Sequence, residues 1–367
     1  MMMYRQGHIV QLRRSWGHAY EYAVELTDQR TVRALAYEPI VGVLEIGDRV
    51  ILSGSAFERG LGTGGYMMIV VAPDRLPADP PPAPGHIMKA RYTPQQFMVQ
   101  GVDEQESPHH EALEDADSIN GMPVIVADLH SALPAIVAGV RATRPDASIA
   151  YIMTDGGALP AWFSMAAQKL ADLGYIQGTI TCGQAFGGDL EAVNVHSALL
   201  AARHVWGADI AIVAQGPGNL GTGTRWGFSG VACGEAINAV DTLGGSAVAC
   251  VRMSNADARG RHFGISHHTI RVLADVVKVP CTVPLPLYSS MPEELIGGDW
   301  VEVAEQQRTD LATISRLDLV EVDATGLYDA LRDFPVGLKT MGRGLDEDVT
   351  SFIAAAAAGA YTAQMLD

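Results

Sequence analysis

From residue 122 onward, short and largely apolar runs alternate with stretches whose apolar positions recur every three or four residues. The runs at 122–129, 149–153, 179–182, 210–214, 247–253, 281–285 and 317–322 predict strands buried on both faces. The intervening stretches predict helices over 131–141, 161–173, 190–206, 231–243 and 267–277, several of them stopped by a glycine such as Gly174, Gly207 or Gly244. Strands alternating with helices imply a mainly parallel sheet with helices on both faces, a Rossmann-like, doubly wound α/β fold. A last helix over 346–364 presents one long alanine-rich surface, suited to close docking.

The first 72 residues follow another period. Residues 19–26 partly alternate apolar and polar, and 31–37, 49–52 and 66–71 are further short strand candidates. Gly47-Asp48 marks a turn before the strand at 49–52. Short strands without helical spacing predict a small N-terminal β-barrel, SH3-like or OB-like. Pro73, Pro77, Pro80, Pro81, Pro82 and Pro84 then enforce an extended, solvated segment. The expected organisation is a small all-β domain at 1–72, a connecting segment at 73–121 and a three-layer α/β domain at 122–367.

Composition narrows the partners. With 25 Lys+Arg against 42 Asp+Glu, the formal net charge is −17, which disfavours nucleic acid, and the barrel carries no basic strip. Hydrophobic residues make up 48% and charged ones 18%, which excludes a disordered chain. Mean hydropathy is +0.12, yet no segment approaches the roughly 20 apolar residues of a membrane span. The start leads into no signal-peptide core, so the expected location is cytoplasmic. Cys182, Cys233, Cys250 and Cys281 lie far apart with no metal spacing, as expected of reduced thiols. A homo-oligomer is left open.

Ligands of open α/β sheets bind outside the carboxyl ends of the strands, and the polar residues here gather after the strands. They include His130-Ser131, Thr154-Asp155-Gly156-Gly157, the segment from Cys182 to Asp189, the loop 215–224, and the stretch from Arg252 to His268. Gly216, Gly218 and Gly221 match the spacing G-x-G-x-x-G, but Thr222-Gly223-Thr224 and more intervene before the next helix, so a dinucleotide fingerprint is not supported. The looser reading is an anion nest built by Gly216, Gly218, Gly221, Thr222, Gly223 and Thr224, against a purely structural loop. Arg252 and Arg261 are candidate anion holders. Asp155, His130, His262 and His267 are candidate acid–base groups, each with a competing role in capping or packing. Asp189, just before a helix, reads as its N-cap. Cys182 could be an activated thiolate at a helix N-terminus but reads better as an inert buried thiol. His267 and His268 are adjacent and should face about 100° apart on a helix, so no metal is expected. No cofactor is indicated.

Gly85-His86-Ile87-Met88-Lys89, Met153-Thr154-Asp155-Gly156-Gly157, Gln215-Gly216-Pro217-Gly218 with Gly221-Thr222-Gly223-Thr224, and Ser266-His267-His268 together resemble a bacterial family known as domain of unknown function 3866. The resemblance covers nearly the whole chain. It implies that the two regions belong to one unit, and it carries over no activity and no residue role. The residues themselves favour an enzyme acting on a small anionic metabolite, phosphorylated ones included, at the carboxyl edge of the sheet. The alternative is a non-catalytic ligand-binding or regulatory protein using the same cleft.

Overall fold

The computed structural model describes residues 2–366. The chain divides into two units: residues up to Pro84 together with Ala90–Phe97, and Gly85–Lys89 together with Met98 onward.

The first unit is built on a closed five-stranded barrel in the order β1 (Tyr4–Trp16), β2 (Ala19–Leu26), β3 (Thr31–Tyr37), β5 (Met67–Val71), β4 (Arg49–Ser53). β1 pairs with both β2 and β4 and so closes the barrel. The sequence pattern missed β1, because its distal half lies outside the core and shows little apolar periodicity. Gly7 makes the double pairing possible, since a Cβ there would lie 2.4 Å from the Glu25 carbonyl oxygen. Alternate residues of the other strands, among them Val24, Val32, Ala34, Val50, Leu52, Met67 and Ile69, fill the interior.

The second unit carries an eight-stranded, all-parallel sheet. Its strands are β6 (Pro123–Ala127), β7 (Ile149–Thr154), β8 (Gly178–Thr181), β9 (Leu190–Glu191), β10 (Ile210–Gln215), β11 (Ser246–Cys250), β12 (Cys281–Pro286) and β13 (Leu317–Val322). They lie in the order β9-β8-β7-β10-β6-β11-β12-β13. The central strands are buried along their length, which explains their unbroken apolar runs. Helices cover both faces. On one, α1 (Leu133–Thr143) packs with α2 (Met165–Asp172) and with the long C-terminal α6 (Val349–Gln364); on the other, α3 (Val195–His204) packs with α4 (Ala232–Thr242).

Strand order sets where the connections part. The chain runs from β6 to β9 toward one side of the sheet, then returns at β10 and proceeds through β11 toward the other. Connections leaving β10 and β11 therefore diverge from those leaving β6 and β7. The crevices between them are topological switch points, where ligands of such sheets bind.

Two predicted helices are shorter than expected. Residues 190 and 191 form the edge strand β9, and α3 starts only after Asn194, whose side chain accepts from Ser197 N–H in a capping box. Asp189 is not a helix cap, because its carboxylate accepts from Thr179 N–H at 2.8 Å. α2 likewise begins after Ser164, which accepts from Ala167 N–H.

Candidate functional site

The connection from β11 to α5 (His267–Arg271) runs over residues 251–266 at the switch-point edge, and internal polar contacts fix it. The buried Asp348 carboxylate, at the start of α6, accepts from Ser254 Oγ at 2.9 Å, Asn255 N–H at 3.2 Å and Arg343 Nε at 2.9 Å. Arg343 also reaches Asp257, whose carboxylate takes the Arg259 guanidinium through both oxygens. Hydrogen bonds from Arg259 outweigh burial and hold Asp257 well below the usual carboxylate range. Trp300 Nε1 donates to the Ser254 carbonyl at 3.0 Å.

This scaffold brings His262, His267 and His268 together. One ring nitrogen of each lies within 4.8 Å of the other two. The expectation that adjacency would aim His267 and His268 apart does not hold, for their ring centroids are 4.2 Å apart. They are the first two residues of α5, so no helical turn precedes them to restrict their side-chain rotamers, and Ser266 caps the helix by accepting from His268 N–H. Ser266 Oγ also lies 2.8 Å from His262 Nδ1. The His268 ring stacks on Phe228, with centroids 3.9 Å apart and planes 1° from parallel. His267 Nε2 and His268 Nδ1 are buried without a hydrogen-bond partner. Burial, with the field of Arg252 and its neighbours, lowers His262 to about 3. Burial, with His267 and Arg252, lowers His268 to about 4, and His267 shifts the same way. In all three the surroundings favour the neutral imidazole.

Beside them opens a cleft of about 160 Å³, lined by His262, His268, Arg252, Arg259 and Arg261 on one side and by Asn219, Gly221 and Gly223 on the other. Of the sequence-derived candidates, the cleft thus gathers Gly221, Gly223, Arg252, Arg261 and His262, with His267 against His262. The remaining candidates lie elsewhere. Gly216 serves a loop crossing: its own Cβ would lie 2.2 Å from Ala158 O, and a Cβ on Gly157 would lie 2.0 Å from Gly216 O. Gly218 adopts φ +100° with open space around it. Thr222 and Thr224 place their hydroxyls 3.0 Å from each other and face solvent. Asp155 is exposed and accepts from Gln184 N–H at 2.8 Å. His130 has both ring nitrogens engaged, by Tyr151 OH at 2.9 Å and Ser164 Oγ at 2.6 Å, and burial lowers it to about 4. Cys182 is buried, and burial pushes its thiol up to about 12, so it is no thiolate.

One group escaped the sequence reading. Asp128 directly follows β6, is buried, and has an Oδ2 without a hydrogen-bond partner, 3.9 Å from Arg252 Nη1. Burial raises its pKa against the pull of Arg252. The signal was present as a single carboxylate inside an otherwise apolar run, the kind of residue a buried strand end tolerates only with a purpose.

Comparison with known proteins places the chain. A family profile described as Protein of unknown function (DUF3866) matches residues 33–359. The chain belongs to the DUF3866 family. No curated protein and no solved structure matches it. The match spans parts of both units and every cleft residue named above. Of the stretches that carried the resemblance, Gly85–Lys89 has a structural part in this DUF3866 protein. Lys89 is fully buried, donates to the carbonyls of Ala185 and Ala192 at 3.0 Å, and lies 3.5 Å from Glu191. It anchors its segment beside the edge strand β9.

Proposed function

We propose that this protein is an enzyme acting on a small anionic metabolite, a phosphorylated one foremost, bound at the carboxyl edge of the parallel sheet. One observation supports this above the rest: arginine side chains, glycine backbone and neutral histidines converge on a single cleft at a switch point. Arg252 and Arg261 supply charge for the anion, and Gly221 and Gly223 let it approach the backbone without a Cβ in the way. His262, oriented through Ser266, lines the cleft beside the bound anion in this reading. Asp128 lies behind Arg252 and positions its guanidinium in this reading. Asp155 and His130 keep the hydrogen bonds described above and take no part in this reading.

Inorganic phosphate is expected to raise the melting temperature of the wild-type chain. Arg261→Ala, a change at an exposed side chain, should weaken that binding about 10-fold, the loss of one charge-assisted contact. A panel of small phosphate monoesters followed by phosphorus NMR then looks for turnover. Absence of any phosphate-dependent stabilisation overturns the reading. Binding without turnover across the panel selects the ligand-binding, regulatory alternative.

A further inference from the structure

We propose that His262, His267 and His268 form a site for a divalent transition metal, Zn²⁺ first among them, with an open position toward the cleft. The inference deepens the reading of the same cleft and rests on it only for the fourth ligand. The three imidazoles stand on their own.

Three observations carry it. First, one nitrogen from each ring already lies within 4.8 Å of the others. A tetrahedral site with Zn–N bonds near 2.05 Å sets its nitrogens about 3.4 Å apart, so small ring rotations complete it. Second, His267 Nε2 and His268 Nδ1 are buried and unpartnered. A buried imidazole nitrogen without a partner is costly, and a metal ion would satisfy what no protein donor does. Third, the surroundings hold the rings as outer partners of a metal site do. Ser266, itself fully buried, engages His262 Nδ1 and leaves Nε2 facing Arg261 Nε at a long 3.5 Å; Phe228 fixes the His268 plane.

Arginines crowd this site, and their charge decides what else must bind. Asp257 neutralises Arg259, Asp275 pairs with Arg271, and Asp128 faces Arg252. Among the described residues no carboxylate pairs with Arg261. A bare cation is therefore disfavoured, and a cation carrying an anionic fourth ligand is favoured. Three histidines plus an open position is the ligand set of catalytic rather than structural zinc. Metal and anion should each strengthen the binding of the other by the same factor.

The full-length chain, stripped with chelator, is titrated with Zn²⁺ and, for its visible spectrum, with Co²⁺, in the absence and presence of inorganic phosphate. One ion per chain, a Co²⁺ spectrum of four-coordinate type, and a spectral change on adding phosphate are expected. His262→Ala, His267→Ala and His268→Ala should each abolish stoichiometric binding, Ser266→Ala should weaken it about 10-fold, and His196→Ala, at an exposed helix position, should leave it intact. Should the histidine variants misfold, the wild-type Co²⁺ titration alone decides. No stoichiometric metal, or metal retained by all three folded variants, overturns the site. Phosphate stabilisation of the metal-free chain with no metal uptake overturns the metal site and spares the anion reading. Metal uptake without any response to phosphate upholds the metal site and removes the anion.

Discussion

Glu21 lies in the barrel with its carboxylate buried, accepting from Arg14 Nε at 2.5 Å, Arg33 Nε at 2.9 Å and Tyr66 OH at 3.0 Å. Burial alone would raise its pKa, but the hydrogen bonds from Arg33, Arg14 and Tyr66 outweigh it and bring the group down to about 2. A carboxylate whose pKa is lower folded than unfolded stabilises the fold above its unfolded pKa, near 4.5, and loses that contribution as pH falls toward 2. Glu21→Gln should therefore cost about 2 kcal/mol at pH 7 in denaturant melts, and the gap to wild type should narrow below about pH 4.5. An equal gap at pH 7 and pH 3 would refute the assignment. Residues of this kind are hard to read from sequence, since three basic or phenolic partners from three separate segments must meet one acid. The same holds for the histidines. Their presence in one connection was legible, whereas their convergence was not, since His262 comes from a separate turn and meets two residues at the start of a helix. Asp128 was hidden for the opposite reason, because the apolar run around it dominated the pattern.

Helices α1 and α6 meet through glycines rather than large side chains. A Cβ on Gly139 would lie 2.0 Å from Ala356 O, and one on Gly359 would lie 2.1 Å from Ile136 O. Backbone thus touches backbone, and nearly all of α6 is buried. Gly139→Ala gains about 1 kcal/mol of helix propensity but must push the helices apart. The expected net result is a loss of about 2 kcal/mol, read as a lower urea midpoint at unchanged slope, and a larger loss for Gly139→Val. A midpoint equal to or above wild type would mean that the helices yield. The alanine-rich surface was legible as a docking face because small residues at helical spacing serve little else. Its partner was not, since the contact joins residues some 220 positions apart in sequence, about as far as from Gly139 to Gly359. The strands of the sheet were legible from their apolar runs, whereas their order was not: nothing in β10 says that it returns to lie between β7 and β6.

At the scale of the molecule, the stretch from 77 to 84 is exposed and irregular, and the loop at 91–96 is exposed throughout. A broad-specificity protease is expected to cut first between 77 and 97 and to leave the sheet-bearing fragment intact on a gel. First cleavage inside 98–366 would show that the stability of the sheet unit has been overrated. The prolines made this legible, while the return of Ala90–Phe97 to the barrel unit was not, because that loop carries no pattern of its own. Asp348 has a consequence in time. It holds Ser254 and Asn255, yet it is made 94 residues after Ser254. At a synthesis rate of about 5–20 residues per second, the histidine-bearing connection waits roughly 5–20 s for its clasp. During that interval the nascent chain has its central strands but not the tie that fixes this loop. The clasp on this loop is therefore completed late in translation, together with α6, which begins at the next residue.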